Sequence, residues 1–536
     1  MLNKMIQKLS LSKLIIIIVI LFVANQDISY KYYKDPSRII ASDVINYYAY
    51  LPAFIIFHDM ELHFLTGDTH GILRYFWPHP VHNGKAIIYG NMGMAIMYSP
   101  FFIAVHYPLK WLGFEAWGFS LPYRVALIVG CLFYLAVSLL MLRKILKRYF
   151  SETVTSITLL LLVLATNLIY YVADEPAMTH AYNFALDIAF LYLTIKWYEK
   201  PGIKFSLLLG LVAGLIALIR PPDVIVAVVF IFWGICTWND ILSRLILFLK
   251  KTHLIFIIMA VAVLVWVPQM LYWKQMTGHY LYNAYADDKS KFFFFNPQII
   301  SSLFGYRKGW MIYTPVMLLI FPGFVILWKK YRPLFWPVFI YFILNLWIVS
   351  SWYLPWYGGS YGQRAYIASY SIISLSLAAF FAFMLSHRLF INKILGGFLV
   401  VLFVYHNLFQ LKQFHNGAIH FASMTKEAYW DSFGRSHPSP RFYHLLSFPN
   451  YDSAKVGRYP DPVIDPLYLG KLNEQQAFYK YRADVIKELL KNNFQLMSYY
   501  KKAGQNNMAL DAYIDKEARS RMEEQIKSKV IRIRKK

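Results

Sequence analysis

The sequence predicts an all-α polytopic membrane protein, and three observations lead to this fold class. Hydrophobic residues make up 58% of the 536 residues and aromatic residues 18%, while only 15% are charged. Apolar runs of roughly twenty residues, the length that crosses a bilayer as a helix, recur through the first three quarters of the chain. Short basic clusters separate these runs, as expected when Lys and Arg remain on the cytoplasmic side of the membrane.

The net charge of +25 raises the question of a nucleic-acid partner. The basic residues, however, lie mostly in the short clusters between apolar runs, so membrane topology and contact with anionic lipid explain them. We therefore expect no nucleic-acid partner. The two cysteines, Cys131 and Cys236, lie within apolar runs, which favours packed thiols over a disulfide or a metal pair.

The first span is predicted at 14–24, after Lys4, Lys8 and Lys13. It lacks a cleavage site of small residues, so we interpret it as an anchor and not as a removed signal peptide. The chain then emerges on the outer face before Asp43. Further spans are predicted at 121–142, 154–172, 181–197, 205–219, 224–238, 254–273, 311–328, 334–349, 366–385 and 394–411.

These segments make about eleven transmembrane helices. The apolar pieces 48–57 and 92–107 are short or interrupted, so interfacial helices are expected there in the first outer loop. The predicted domains are a membrane domain over 1–411 and a polar, α-rich tail over 412–536, which we place outside the membrane and on the outer face. A helix is expected at 483–499.

Polar clusters that are not simply basic all fall on the predicted outer face. They comprise Asp43 and the stretches 79–89, 174–180, 287–308 and 352–364. A transporter would place ionisable groups and broken helices near the middle of the membrane, where Asp187 is the main example here. The one-sided distribution favours an extracytoplasmic active site.

Asp43 is the first candidate for chemistry. If 41–53 is helical, Tyr47 and Tyr50 follow Asp43 at i+4 and i+7 on one face. Such an acid is either a general base or an ordinary charge at a helix N-terminus, and the residues alone favour neither. Asp174 and Glu175, with His180 nearby, hold an acceptor or a divalent cation, or are simply acids at a helix start.

Basic residues of the outer face suit an anionic ligand such as a phosphate, although any one of them could instead extend to the interface. The glycines of 358–362 would allow close approach of the backbone to a ligand. Trp356 and Tyr357 could stack on a sugar or belong to an interfacial aromatic belt. The basic residues are Lys85, Arg220, Arg307, Lys308 and Arg364.

These residues together resemble the membrane-embedded GT-C glycosyltransferases. The resemblance is greatest to the bacterial branch related to protein O-mannosyltransferases and the lipid A aminoarabinose transferase, which is family 39-like. It covers about 42–366 and includes EPAMTH at 175–180 and WYGGSYGQR at 356–364. The other matching segments are 42–52, 89–102, 214–221, 277–297, 303–304 and 309–315. Val44 follows Asp43, so the first loop has no adjacent second acid of the O-mannosyltransferase kind.

The resemblance implies a GT-C fold and an inverting sugar transfer from a polyprenyl-phosphate donor, at the outer face of a bacterial plasma membrane. The acceptor is a lipid, a polysaccharide or a protein. Asp43 would be the base, with Asp174 and Glu175 the other catalytic acids. The donor phosphate would be held by Lys85, Tyr89, Arg307, Lys308 and Arg364. The acceptor or sugar would meet His180, Trp356, Tyr357 and Gln363.

Other readings of the chain remain open. A divalent cation is a possible cofactor, and the metal ligands are unknown. A lipid-linked glycan transporter or flippase is the first alternative function, and a non-catalytic subunit of an envelope glycan assembly complex is the second.

Overall fold

The computed structural model describes residues 10–36, 38–65, 76, 78–81, 84–287, 290–386, 389–461, 485 and 513–524. Nearly all regular structure in them is helical. The helices are α1 Leu11–Tyr30, α2 Asp43–Tyr48, α3 Gly93–Trp111, α4 Leu121–Leu146, α5 Glu152–Leu164, α6 Leu168–Ala173, α7 Thr179–Glu199, α8 Ile203–Ile219, α9 Ala227–Phe232, α10 Trp238–Lys250, α11 Thr252–Thr277, α12 Ala284–Asp287, α13 Ile299–Phe304, α14 Trp310–Tyr313, α15 Ile320–Lys330, α16 Arg332–Ser351, α17 Tyr370–Ser386, α18 Phe390–His415, α19 Lys426–Ser432 and α20 Tyr451–Lys455.

Five of these helices, α1, α4, α11, α16 and α18, are long and apolar enough to cross a membrane. Shorter apolar helices occupy most of the other predicted spans. The span predicted at 154–172 is broken, because the backbone leaves the helix after Leu164 and restarts at Leu168. The span predicted at 224–238 is a 3-10 turn, Pro221–Val226, followed by the short α9. The count of about eleven transmembrane helices stays a prediction.

The first outer loop departs from a single regular helix. The helix that starts at Asp43 ends after six residues, and a π-turn at Pro52–Ile56 follows it. The Tyr50 hydroxyl donates to the carbonyl of Gly90 at 2.7 Å. Two short antiparallel strands, β1 His79–Pro80 and β2 Ala86–Ile87, precede α3. The helix α3 covers the predicted interfacial segment 92–107.

Close packing of α8 on α11 depends on two glycines one helical turn apart. A methyl group at Gly210 would lie 2.5 Å from the carbonyl oxygen of Ile258, and one at Gly214 would lie 2.8 Å from that of Ala262. Small residues at this spacing let helix backbones approach each other in lipid, where dispersion contacts replace the hydrophobic effect. These two helices therefore form one rigid pair in the bundle.

One end of the bundle carries a network of basic residues. The Arg143 guanidinium donates to the Ser12 hydroxyl at 2.5 Å, and Lys147 pairs with Glu152 at 2.8 Å. The start of α1 is thereby joined to the end of α4 and the start of α5. Arg148 pairs with Glu199 at the same end. The side chains of the candidate site lie around the other ends of these helices.

The stretch 239–253 lies between two predicted spans and contains Arg244, Lys250 and Lys251, which predicts a cytoplasmic loop. Most of it instead forms the amphipathic helix α10, begun by a capping box of Thr237 and Asp240. Its residue Arg244 donates to the carbonyl of Ile231 at 2.9 Å and to that of Trp233. Apolar residues at 242, 245, 246 and 249 have helical spacing, which is the signal that a reading by charge alone overlooks.

The segment 416–461 follows α18 and contacts the loops 290–308 and 352–364. A small apolar cluster joins Tyr313 to Met424, Phe442 and other residues of this segment. Of the helix predicted at 483–499 only Val485 lies within the described residues. The side of the membrane on which the tail lies stays a prediction.

Candidate active site

The candidate site is centred on Asp43 and Arg364. An Arg364 guanidinium nitrogen lies 3.4 Å from a carboxylate oxygen of Asp43, and their side chains are 17% and 50% exposed. Asp43 is the first residue of α2, and Arg364 begins a 3-10 turn at Arg364–Tyr366 before α17. The carboxylate is therefore open to an incoming ligand, while the guanidinium lies behind it.

Unusual backbone conformations occur next to Asp43 and within the loop that carries Arg364. Ser42, which precedes Asp43, has a φ of 52°, and Tyr357, in the Arg364 loop, has a φ of 53°. Non-glycine residues at such angles cost on the order of 1–3 kcal/mol each and persist where the surrounding structure holds them. Gly358 and Gly362, at φ 71° and 60°, complete the turn that brings the loop back to Arg364.

Glu175 is the second carboxylate of the site. Its backbone N–H donates to the carbonyl of Tyr170 at 3.1 Å, and its Oε1 accepts from the Tyr170 hydroxyl at 3.1 Å. Burial, more than any other cause, raises the pKa of Glu175 to about 7, and the negative charges of Asp43 and Asp174 act in the same direction. Arg364 opposes this shift, so one guanidinium interacts with both carboxylates.

Positive charge gathers on the inner side of the same site. Burial alone would lower the pKa of the Arg364 guanidinium, but Asp43, Tyr171 and Glu175 raise it above its ordinary value. Lys308 is 2% exposed and donates to the Ser360 carbonyl. Burial first, then Arg364 and Arg307, hold the pKa of Lys308 well below its usual range. An anion bound nearby would reverse part of that shift and favour the ammonium form.

Arg220 and His180 extend this group of positive or polar side chains. Arg220 pairs with Asp223 at 3.4 Å and interacts electrostatically with Arg364, Tyr47 and Tyr357. His180 is 4% exposed, and its ring packs edge-on against Tyr171 with centroids 5.0 Å apart. Both lie where the loop before α7 and the end of α8 approach the Arg364 loop. The sequence alone assigns Arg220 no specific role.

Aromatic side chains form one wall of the site. Tyr285 interacts electrostatically with Asp43, Arg220 and Arg364. Its ring lies 4.9 Å from that of Tyr89 and 6.1 Å from that of Trp352, and Trp352 stacks on Tyr357 at 6.4 Å. The sequence alone does not single out Tyr285, because it is one of several aromatic residues in its outer loop, close to the acids Asp287 and Asp288. Asp288 and the side chain of Asp287 lie outside the described residues.

Several residues expected to bind a ligand also make contacts within the protein. The Lys85 ammonium pairs with Glu61 at 2.9 Å. Arg307 donates to the carbonyls of Ala422 and Ser447 at 2.9 and 3.0 Å, and lies 5.3 Å from the Trp356 ring. Gln363, fully buried, donates to the carbonyl of Pro355. These contacts support the loops of the site.

Asp174 also turns away from Arg364. Its Oδ1 lies 2.6 Å from Nε2 of His415, at the end of α18. Burial raises the pKa of Asp174, and this outweighs the opposing effects of His415 and Arg38. In the part of the chain that the structure describes, no group of three or more His, Cys, Asp and Glu side chains is arranged to hold a metal ion.

The contacts of Arg307 predict a structural effect. Arg307→Ala should lower the thermal unfolding midpoint of the detergent-solubilised protein, since each charged hydrogen bond is worth about 1.5–3 kcal/mol. The apparent KM for a lipid-phosphate donor should change less than twofold, because the guanidinium is occupied by backbone carbonyls. Arg435→Ala is the control, because Arg435 is an exposed arginine in the segment 416–461 that Arg307 contacts. A many-fold rise in donor KM at an unchanged midpoint would place Arg307 on the ligand.

Comparison with known proteins gives little help with function. No family model matches the sequence, and no curated protein matches it. Among solved structures, the chain is similar to ArnT from Cupriavidus metallidurans in the apo state, with 12% sequence identity and a TM-score of 0.39. The similarity covers 94% of this chain and 74% of that chain.

Proposed function

We propose that the protein is an integral membrane glycosyltransferase that moves a sugar from a polyprenyl-phosphate donor to a cell-envelope acceptor. The observation that carries the proposal is the pair of Asp43 and Arg364. A half-exposed carboxylate lies 3.4 Å from a more buried guanidinium at one end of an apolar helical bundle. Transfer from a lipid phosphate needs a base for the acceptor and a cation for the leaving phosphate. A site at the bundle end can receive a lipid-borne donor from the bilayer.

Asp43 is the base in this proposal. The acceptor hydroxyl attacks the anomeric carbon of the donor, and its proton passes to the Asp43 carboxylate. The new glycosidic C–O bond forms as the bond between the anomeric carbon and the phosphate oxygen breaks, with inversion at that carbon. Asp43 suits this role because its side chain is 50% exposed and can reach a bound hydroxyl.

Arg364 holds the phosphate and stabilises the charge that develops as it leaves. Its planar guanidinium can bind two phosphate oxygens at once. Lys308 interacts electrostatically with Arg364, and the negative charge of the bound phosphate, which grows as the sugar leaves it, favours the charged form of this buried amine. Arg220 adds a third cation that interacts with Arg364. Tyr89 contributes through the aromatic wall that it shares with Tyr285.

Glu175 and His180 are assigned to the acceptor or the sugar. Both lie at the loop that enters α7, and both interact electrostatically with Arg364. Tyr357 belongs to the aromatic wall, where its ring can stack on a sugar. Trp356 and Gln363 support the same loop from behind through Arg307, Tyr451 and the Pro355 carbonyl.

The raised pKa of Glu175 predicts a pH-dependent effect on stability. The folded protein keeps this proton up to about pH 7, whereas the unfolded chain loses it near pH 4.5. Stability is therefore lost as pH rises from about 4.5 to 7 and stays lower above that pH. Glu175→Gln removes this penalty, so its unfolding midpoint should exceed that of the wild type at pH 8 and match it at pH 4.5.

Thermal unfolding in detergent at both pH values measures this difference, which amounts to about 3 kcal/mol at most. Glu427→Gln is the control, because Glu427 is an exposed carboxylate in the first turn of α19. A Glu175→Gln advantage that is equal at pH 4.5 and pH 8 would contradict the assignment.

Purified protein in proteoliposomes tests the proposed function. Labelled polyprenyl-phosphate sugars are supplied with an envelope extract, and lipid and polysaccharide fractions are analysed for new glycosidic bonds. The proposal predicts label in an acceptor and release of polyprenyl phosphate. Movement of the donor across the bilayer without any new bond would show a flippase. Transfer that is retained when Asp43 and Arg364 are both replaced would show that these two residues do not carry the reaction.

A further inference from the structure

The Asp174–His415 pair lies beside the candidate site but does not point into it. The distance of 2.6 Å joins Nε2 of His415 to Oδ1 of Asp174, whose side chain is 4% exposed, against 20% for His415. A buried carboxylate is costly unless it is paired and hydrogen-bonded. Asp174 has this pairing, so its contact with His415 is a built feature of the bundle end.

We propose that His415 is a positioning residue, which holds Asp174 so that the adjoining Glu175 carboxylate stays directed at Arg364. This role rests on the proposed transferase function, because Glu175 is placed there on the acceptor. His415 does not touch the ligand in this proposal. It acts only through the turn that carries the two acids.

The turn itself makes this coupling direct. The Tyr170 carbonyl accepts the N–H groups of both Asp174, at 2.8 Å, and Glu175, at 3.1 Å. The Tyr170 hydroxyl then donates to Oε1 of Glu175 at 3.1 Å. The Asp174 side chain contacts His415, whereas the adjacent Glu175 carboxylate interacts electrostatically with Arg364. A shift of Asp174 would therefore rotate the backbone that sets the direction of Glu175.

His415 connects the C-terminal ends of α18 and α1. It is the last residue of α18, and its ring lies edge-on to Tyr30, the last residue of α1, with centroids 4.8 Å apart. The Tyr30 hydroxyl lies 3.4 Å from Nδ1 of His415. Tyr32 and Arg38, just beyond α1, also face Asp174. Asp174 is thus held at the meeting point of the first and last long helices.

Two substitutions at the same position separate positioning from packing. His415→Ala removes the donor to Asp174, whereas His415→Gln can place an amide N–H where the ring Nε2 lies. We expect His415→Ala to lower kcat at least about tenfold, as small misplacements of reacting groups do, with the donor KM within twofold. His415→Gln should recover most of that loss. Tyr30→Phe, which removes only the hydroxyl near Nδ1, should behave as the wild type.

Hydrogen exchange of residues 168–180 provides a readout that does not depend on activity. The backbone amides of this turn should exchange faster in His415→Ala than in the wild type, and near the wild-type rate in His415→Gln. The positioning role is wrong if exchange is unchanged in His415→Ala, if both variants lose activity equally, or if the loss appears in donor KM. If the wild type transfers no sugar at all, the proposed function fails, while the exchange comparison still decides the role of His415.

Discussion

Asp43→Asn should reduce sugar transfer by about 10²–10⁴-fold, the usual contribution of a general base. Asparagine keeps the size and the place of the side chain at the start of α2 but accepts no proton from the acceptor. The loss should appear in kcat, with the donor KM nearly unchanged, because the donor phosphate is held by other residues. Steady-state kinetics in proteoliposomes, with varied donor, measures both constants.

Two controls make the Asp43 result specific. Glu427→Gln changes an exposed carboxylate to an amide on the same end of the bundle and should leave the kinetics unaltered. The unfolding midpoint of Asp43→Asn should stay close to that of the wild type, since the only described ion pair of Asp43 is the partly exposed one with Arg364. Full activity in Asp43→Asn would show that another group is the base.

Arg364→Ala should weaken transfer at the step where the phosphate departs. Removing a donor that stabilises developing charge typically costs on the order of 10²–10³-fold in kcat, and loss of the ground-state contact should also raise the donor KM. Arg364→Lys keeps the charge but not the two-pronged geometry, so it should recover part of the activity. The same kinetic assay, with donor varied over a wide range, resolves the two effects.

Loss of Arg364 also changes the electrostatics of the acids on either side of it. The guanidinium opposes the burial that raises the pKa of Glu175, so that pKa should rise further in Arg364→Ala. Arg435→Ala, at an exposed arginine near the same face, should leave kcat and KM unchanged. Unaltered kcat and KM in Arg364→Ala would remove this residue from the phosphate site.

Much of the fold could be anticipated from the apolar runs and the basic clusters. The breaks within the helices could not be anticipated in this way. The break between Leu164 and Leu168 depends on tertiary partners, since Asn407 donates to the carbonyls of Leu164 and Thr166 at 2.9 Å each. In the sequence, only Thr166 and Asn167 interrupt the apolar run at this point. Similarly, α10 reads as a charged loop until the spacing of its apolar residues is considered.

The candidate site could be predicted in part. Asp43 and Arg364 follow from their positions after the first span and in a glycine-rich outer loop, and the structure places them 3.4 Å apart. The direction of a side chain is a different matter, because it depends on distant partners. Asp174 and Arg307 looked equivalent to Glu175 and Lys308 in sequence, yet one turns to His415 and the other to Ala422 and Ser447. These partners lie far from Asp174 and Arg307 in the sequence.

The most direct test of the central claim is mass spectrometry of envelope lipids and glycans from a deletion strain, complemented with the wild type or with Asp43→Asn. The proposed function predicts that one sugar disappears from an envelope acceptor in the deletion strain, while its polyprenyl-phosphate donor accumulates. Only the wild-type gene should restore the sugar. An unchanged set of envelope glycans, or full restoration by Asp43→Asn, would contradict transfer from a lipid-phosphate donor with Asp43 as base.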